Sequence, residues 1–157
     1  MDEVYVAGDG FVVVAGGQTG ADRAALDWAI EQGIAHGGWC PRGRKTEDGV
    51  LPERYRLKET PASAYLQRTE WNVRDSDATL IFTLDDRLDG GSKRTAAFAD
   101  SLGKPWLQVR PGVHPKHVAR FLARHGVKVL NVAGKRESSA PGIGELVRRV
   151  LSQAIQG

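Results

Sequence analysis

Glycines 16, 17 and 20 stand between an apolar run and a helical pattern in Val13-Val14-Ala15-Gly16-Gly17-Gln18-Thr19-Gly20-Ala21-Asp22-Arg23. Glycine permits positive φ and close approach of a ligand to the main chain, and the free amides at the start of a helix attract negative charge. That combination suits phosphate, with the Thr19 hydroxyl as an added donor. The run matches neither G-x-G-x-x-G nor the P-loop, whose lysine it lacks. It supports phosphate binding without naming a cofactor, and a tight strand-to-helix turn with Thr19 as N-cap accounts for the same residues.

Gly90-Gly91-Ser92-Lys93-Arg94-Thr95 repeats the device after a second apolar run and adds two cations and two hydroxyls suited to phosphate oxygens. A solvated loop with a Ser/Thr cap is the alternative. After a third run, Asn131, Gly134 and Arg136 are placed to face the same ligand, or form an ordinary loop. Asp22 either stabilises a helix start, accepts from a ribose hydroxyl or holds Mg²⁺. Arg42, Arg44 and Lys45 would clamp an acidic ligand or, with Glu47 and Asp48, form a solvated mixed face. Cys40 beside Trp39 reads as a small buried hydrophobe, and His114, His117 and His125 as solvated surface.

These loops need elements to hold them. The continuous apolar run Phe11 to Ala15 predicts a strand buried on both faces, and Ala21 to Gln32 a helix closed by Gly33. A weaker strand is expected near Gly37 to Cys40, then a long polar loop from Pro41 to about Pro61 and a helix over Ala62 to Arg74. Ala78 to Leu84 is a strand, Asp85 to Arg94 a loop, Thr95 to Leu102 a helix and Trp106 to Val109 a strand. His114 to His125 is a helix, Val127 to Val132 a strand and Pro141 to Ile155 the last helix. About five βα units imply an α/β fold with a doubly wound, mainly parallel sheet of about five or more strands and helices on both faces. Ligands of such sheets bind at the carboxyl ends of the strands.

The 157 residues are expected to form one domain, 1–157, and 41% hydrophobic content argues against a disordered chain. Gly is 19 of 157, about 12% against a usual ~7%, so backbone turns or backbone contacts are numerous. A net charge of +3, with acids beside the basic residues, makes no nucleic-acid stripe. One cysteine excludes an internal disulfide and points to a reducing, cytoplasmic setting. No signal-peptide pattern opens the chain, and Phe11 to Ala15 is far short of the ~20 residues of a membrane span.

From Gly16 to Asp27 the chain resembles the family named for molybdenum cofactor carriage, circularly permuted members of the SLOG superfamily of Rossmann-like nucleotide-binding proteins. The blocks His36 to Lys45, Glu47-Asp48-Gly49, Arg68 to Thr79, Gly90-Gly91 and Leu130 to Ser138 carry the resemblance over about residues 11 to 155. It implies a Rossmann-like domain, usually a homo-oligomer such as a dimer or tetramer, that holds a nucleotide or molybdopterin-type cofactor. On that reading Gly16, Gly17, Gln18, Thr19, Gly20 and Asp22 bind the phosphate with Gly90, Gly91, Ser92, Lys93 and Thr95. Asn131, Gly134 and Arg136 complete the site, and Trp39, Arg42, Trp71 and Asn72 supply ring stacking or loop contacts. No metal site is evident. Related SLOG enzymes cleave N-glycosidic bonds with a P-G-G-x-G-T-x-x-E loop. Here Ser92, Lys93, Arg94, Thr95, Ala96, Ala97 and Phe98 follow the glycine pair, so a catalytic carboxylate would have to come from elsewhere, such as Asp22 or Glu70. A binding role is therefore favoured over an N-glycosidase, and a nucleotide sensor without turnover is the third possibility.

Overall fold

The β-branched run Val12–Val14 forms the expected strand in the computed structural model, which describes residues 3–157. In chain order the elements are β1 (Tyr5–Val6), β2 (Val12–Val14), α1 (Ala21–Glu31), β3 (Ala35–Gly37), β4 (Trp39–Cys40), β5 (Lys45–Thr46), β6 (Gly49–Val50), β7 (Lys58–Glu59), α2 (Tyr65–Arg74), β8 (Ala78–Phe82), α3 (Gly90–Leu102), β9 (Trp106–Val109), α4 (Pro115–His125), β10 (Val129–Gly134), α5 (Ile143–Ala154) and β11 (Ile155–Gln156).

Five strands make one sheet in the order β3-β2-β10-β8-β9, and every neighbouring pair is parallel. Counted from β10, this order reads 3-2-1-4-5, the arrangement of the doubly wound dinucleotide-binding fold. The strand counted first, β10, is the last of these five in the chain, as circular permutation requires. Pairing at the centre is in register through Asn131, which faces Val14 on one side and Thr79 on the other.

Strand residues alternate between faces. Val13, Leu80, Phe82, Leu130 and Val132 form the main core with α1, α4 and α5. The apolar stripe of α5 from Ile143 to Leu151 is buried there, as its three- and four-residue spacing predicts. Helices α2 and α3 pack against each other away from that core, with α3 against β8 and β10. Because α3 follows β8 and α5 follows β10, the chain leaves these adjacent strands toward opposite sides. The carboxyl ends of β8 and β10 therefore border a crevice.

Three differences from expectation bear on that crevice. Helix α3 begins at Gly90 rather than Thr95, so the glycine pair forms its first turn. Glycine disfavours helix interiors, but this first turn has no preceding helical residues to oppose it. The stretch from Pro41 to Pro61 is not loop throughout. It carries the β5–β6 hairpin and β7, which pairs with β4 just before it, and Leu51, Tyr55 and Leu57 bury a small cluster with Ala15, Leu26 and Cys40. The strand expected near Gly37 to Cys40 is split at Gly38, whose φ of +121° turns the chain out of β3. Among the described residues no helix is long and apolar enough to cross a membrane.

Candidate functional site

The crevice holds an open cavity of about 570 Å³. The segment after β8 contributes Asp89, Gly90, Gly91, Ser92 and Arg94, and the segment after β10 contributes Gly134, Lys135, Arg136 and Ser139. Gln18 enters from the β2–α1 loop, while Tyr65, Leu66, Arg68 and Thr69 enter from the first turns of α2. Four of these side chains are cationic and only Asp89 is acidic, and Asp89 is paired with Lys135 at 2.9 Å. The cavity therefore favours an anion.

The start of α3 is its anion-accepting end. Asp89 stands at the N-cap in an extended conformation without a side-chain capping bond. A side chain at Gly90 or Gly91 would meet nothing within 4 Å, so this turn opens onto free space. The amides of the first helical turn have no partners inside the helix. Ser92 is buried, and its Oγ has no hydrogen-bond partner. Thr95 is also buried but spends its hydroxyl on Gly91 O at 2.8 Å, which steadies the turn. Lys93 is exposed and does not line the cavity; Arg94 does.

The first glycine loop is arranged differently. A Cβ at Gly17 would press on Leu51 Cδ2 at 2.8 Å, and one at Gly20 would lie 2.5 Å from Lys135 O. Gly134 has the same character, with Ala21 Cβ at 2.6 Å from where its own Cβ would sit. These glycines are required by protein packing. Several amides of the loop are engaged within the chain: Gln18 N donates to Asp22 Oδ2 at 3.3 Å, Thr19 N to Gln18 Oε1 at 3.1 Å and Ala21 N to Lys135 O at 3.2 Å. The Thr19 hydroxyl donates to Glu47. Gly17, Thr19 and Gly20 do not line the cavity, whereas Gln18 does.

Beneath the cavity lies a polar well of about 80 Å³. Gly16, Asp22, Asn72, Thr95 and Asn131 line it, and Arg68, Ser92 and Gly91 line both spaces. Arg68 Nη1 donates to Gly16 O at 2.8 Å and approaches Asp22 Oδ2 at 3.5 Å. Burial raises the Asp22 carboxyl to about 6, against the opposing charge of Arg68 and the Gln18 amide. Asn131 Nδ2 donates to Thr79 Oγ1 at 3.2 Å, and Asn72 bonds both the amide and the carbonyl of Trp39.

Trp39 and Trp71 lie outside both spaces. Their rings pack edge to face at 4.8 Å, and Trp39 Nε1 donates to Asp75 at 2.8 Å. The aromatic ring that lines the cavity is Tyr65, with the Arg68 guanidinium 5.2 Å from its centroid. Arg42 and Glu70 are exposed and line neither space. Among the described residues no three His, Cys, Asp or Glu side chains gather as metal ligands.

The model of the circularly permutated YpsA SLOG family matches residues 13–155. The chain belongs to this family. A crystal structure from Syntrophus aciditrophicus SB, described as a "putative molybdenum carrier protein", is 43% identical with a TM-score of 0.85, over 90% of this chain and 92% of that one. No curated protein matches. For this SLOG protein the sequence reading had not singled out Tyr65, Arg68 or Thr69 as site residues. The signal was present: Tyr65, Arg68, Thr69 and Asn72 recur at i, i+3, i+4 and i+7, one face of a helix, and all four line the cavity or its well. Lys135 and Ser139 carry no such pattern and depend on where the segment after β10 folds.

Proposed function

We propose that the cavity binds a small molecule bearing a phosphate and a planar ring, of the nucleotide or molybdopterin type, as a carrier or binding protein would. The observation that carries this is the uncapped start of α3, where Gly90 and Gly91 open onto space bordered by Arg68, Arg94, Lys135 and Arg136. Helix amides and dipole stabilise a phosphate at such an end, and the cations neutralise its charge. Tyr65 and Leu66 form the apolar lip against which a ring packs. The carrier name of the 43%-identical Syntrophus protein supports a molybdopterin-type ligand. The residues fit such a group: donors and cations hold its phosphate, Tyr65 meets its ring, and any metal it carries would come with it.

A second reading, hydrolysis of a nucleotide N-glycosidic bond, is favoured by one observation: Asp22 lines the well with its carboxyl raised to about 6, a value suited to proton transfer. Titration calorimetry with GMP, AMP, a pterin phosphate and inorganic phosphate, with chromatography of the incubated nucleotides, separates the two. Saturable binding of a ring-bearing phosphate, weakened at least about tenfold in Arg68→Gln, is the result expected for a binding protein. Release of free base that Asp22→Asn abolishes would establish the hydrolase instead. Absence of binding by every phosphate compound overturns both.

A further inference from the structure

Ser92 Oγ is a buried hydroxyl without a partner, and it stands where the cavity meets the polar well. Helical side chains lean toward the helix start, so this hydroxyl at the third position of α3 is directed to the carboxyl edge of the sheet. An unsatisfied buried hydroxyl costs free energy that a ligand group recovers when it supplies the bond. The other polar groups of the well are at least partly engaged: Asn72 with the Trp39 main chain, Thr95 with Gly91 O and the Asn131 amide nitrogen with Thr79. The Asp22 carboxyl retains acceptor capacity beyond its bonds to Gln18 N and Arg68.

Size and charge decide what fits. The well, at about 80 Å³, is far smaller than the cavity above it and has room for a substituent of a few heavy atoms. A second anion would meet the Asp22 carboxylate, and the one cation of the well, Arg68, is already turned to Gly16 O and Asp22. A bare cation would find no cluster of three ligating side chains among the described residues. A hydroxyl or amino group satisfies both walls, donating to Asp22 while a hydroxyl also accepts from Ser92.

We propose that this well is a second subsite, which takes a hydroxyl or amino group attached close to the ligand's phosphate and so selects phosphorylated polyols over plain phosphate esters. The proposal rests on the reading of the cavity as a phosphate site. Gly91 and Ser92 border both spaces, so a phosphate at the start of α3 and a substituent in the well lie within one small molecule's reach.

Glycerol 3-phosphate and propyl phosphate test it, because they share a carbon chain and differ in two hydroxyls. Calorimetric titration of the whole protein is expected to show glycerol 3-phosphate binding about tenfold or more tightly, the gain that one net hydrogen bond supplies. In Ser92→Ala the ratio falls to about threefold or less. Equal affinity of the two esters for the unsubstituted protein overturns the subsite while leaving the phosphate site standing. So does a ratio that Ser92→Ala leaves unchanged. Binding of neither ester nor inorganic phosphate overturns the phosphate reading and the subsite together. The comparison in the unsubstituted protein decides the question even if the variant does not fold.

Discussion

The Arg68 guanidinium occupies the volume that a side chain on Gly16 would fill; a Cβ there would lie 2.7 Å from Arg68 Cζ and closer still to Nη1. The arginine reaches from α2 across the mouth of the β2–α1 loop, bonds Gly16 O and leans on Asp22. Gly16 thus serves the site by admitting a protein cation to it.

Gly16→Ala and Gly20→Ala should separate packing from binding. Gly16 does not use positive φ, and its neighbour is the mobile end of a side chain, so alanine there should cost about 1 kcal/mol of stability or less. It displaces Arg68 and should weaken phosphate binding about tenfold. At Gly20, φ is +81° and the obstacles are Lys135 O and Glu137 N at 2.5 and 2.6 Å, all backbone. There alanine should cost about 2–4 kcal/mol. Chemical denaturation and calorimetric titration of both variants check this.

Asp22 gives the stability a sign that most carboxylates do not. Its pKa rises from 3.8 to about 6 on folding, so the native state binds the proton more tightly than the unfolded chain. This contribution is fully present below pH 3.8 and is lost as pH rises through about 6, amounting to at most about 3 kcal/mol. Asp22→Asn should therefore be more stable than the unsubstituted protein at pH 8, and the gap should close toward pH 4. Urea midpoints measured across that range provide the check; a gap independent of pH would remove Asp22 as its source.

Tyr65 and Trp71 should divide recognition from structure. Tyr65→Ala should weaken ring-bearing phosphates several-fold while leaving inorganic phosphate within about twofold. Trp71→Ala removes the edge-to-face partner of Trp39 and the ring under Arg74, 4.5 Å from its guanidinium. It should lower thermal stability, by about 1–3 kcal/mol, with ligand affinity unchanged. Thermal unfolding and titration of the two variants decide it.

Glu47, at the tip of the β5–β6 hairpin, bridges Thr19 and Ser138 and so holds the segment that carries Lys135, Arg136 and Ser139. These hydroxyls keep its carboxyl below the usual range, so its contribution is present near neutral pH and fades as pH falls. Glu47→Ala should speed amide exchange across residues 135–139 and weaken phosphate binding a few-fold. Hydrogen exchange followed by mass spectrometry reports the first effect directly.

The parallel α/β architecture was legible from the sequence because apolar runs such as Ala78–Phe82 and stripes such as Ile143 to Leu151 are local patterns, and burial follows from them. The family blocks were legible in the same way. What each glycine is for was not. Gly90 and Gly91 open onto the cavity, whereas Gly17, Gly20 and Gly134 make room for Leu51, the 135–137 backbone and Ala21, and a run of glycines reads alike in both cases. Trp39 and Trp71 likewise pack on each other outside the cavity and its well, through contacts between β4 and α2 that sequence spacing does not encode. Residues alone determined that glycine-rich turns and cations stand at strand ends. Only the tertiary structure decided which turn is free, because a helix start binds an anion only where the rest of the chain has not already satisfied its amides.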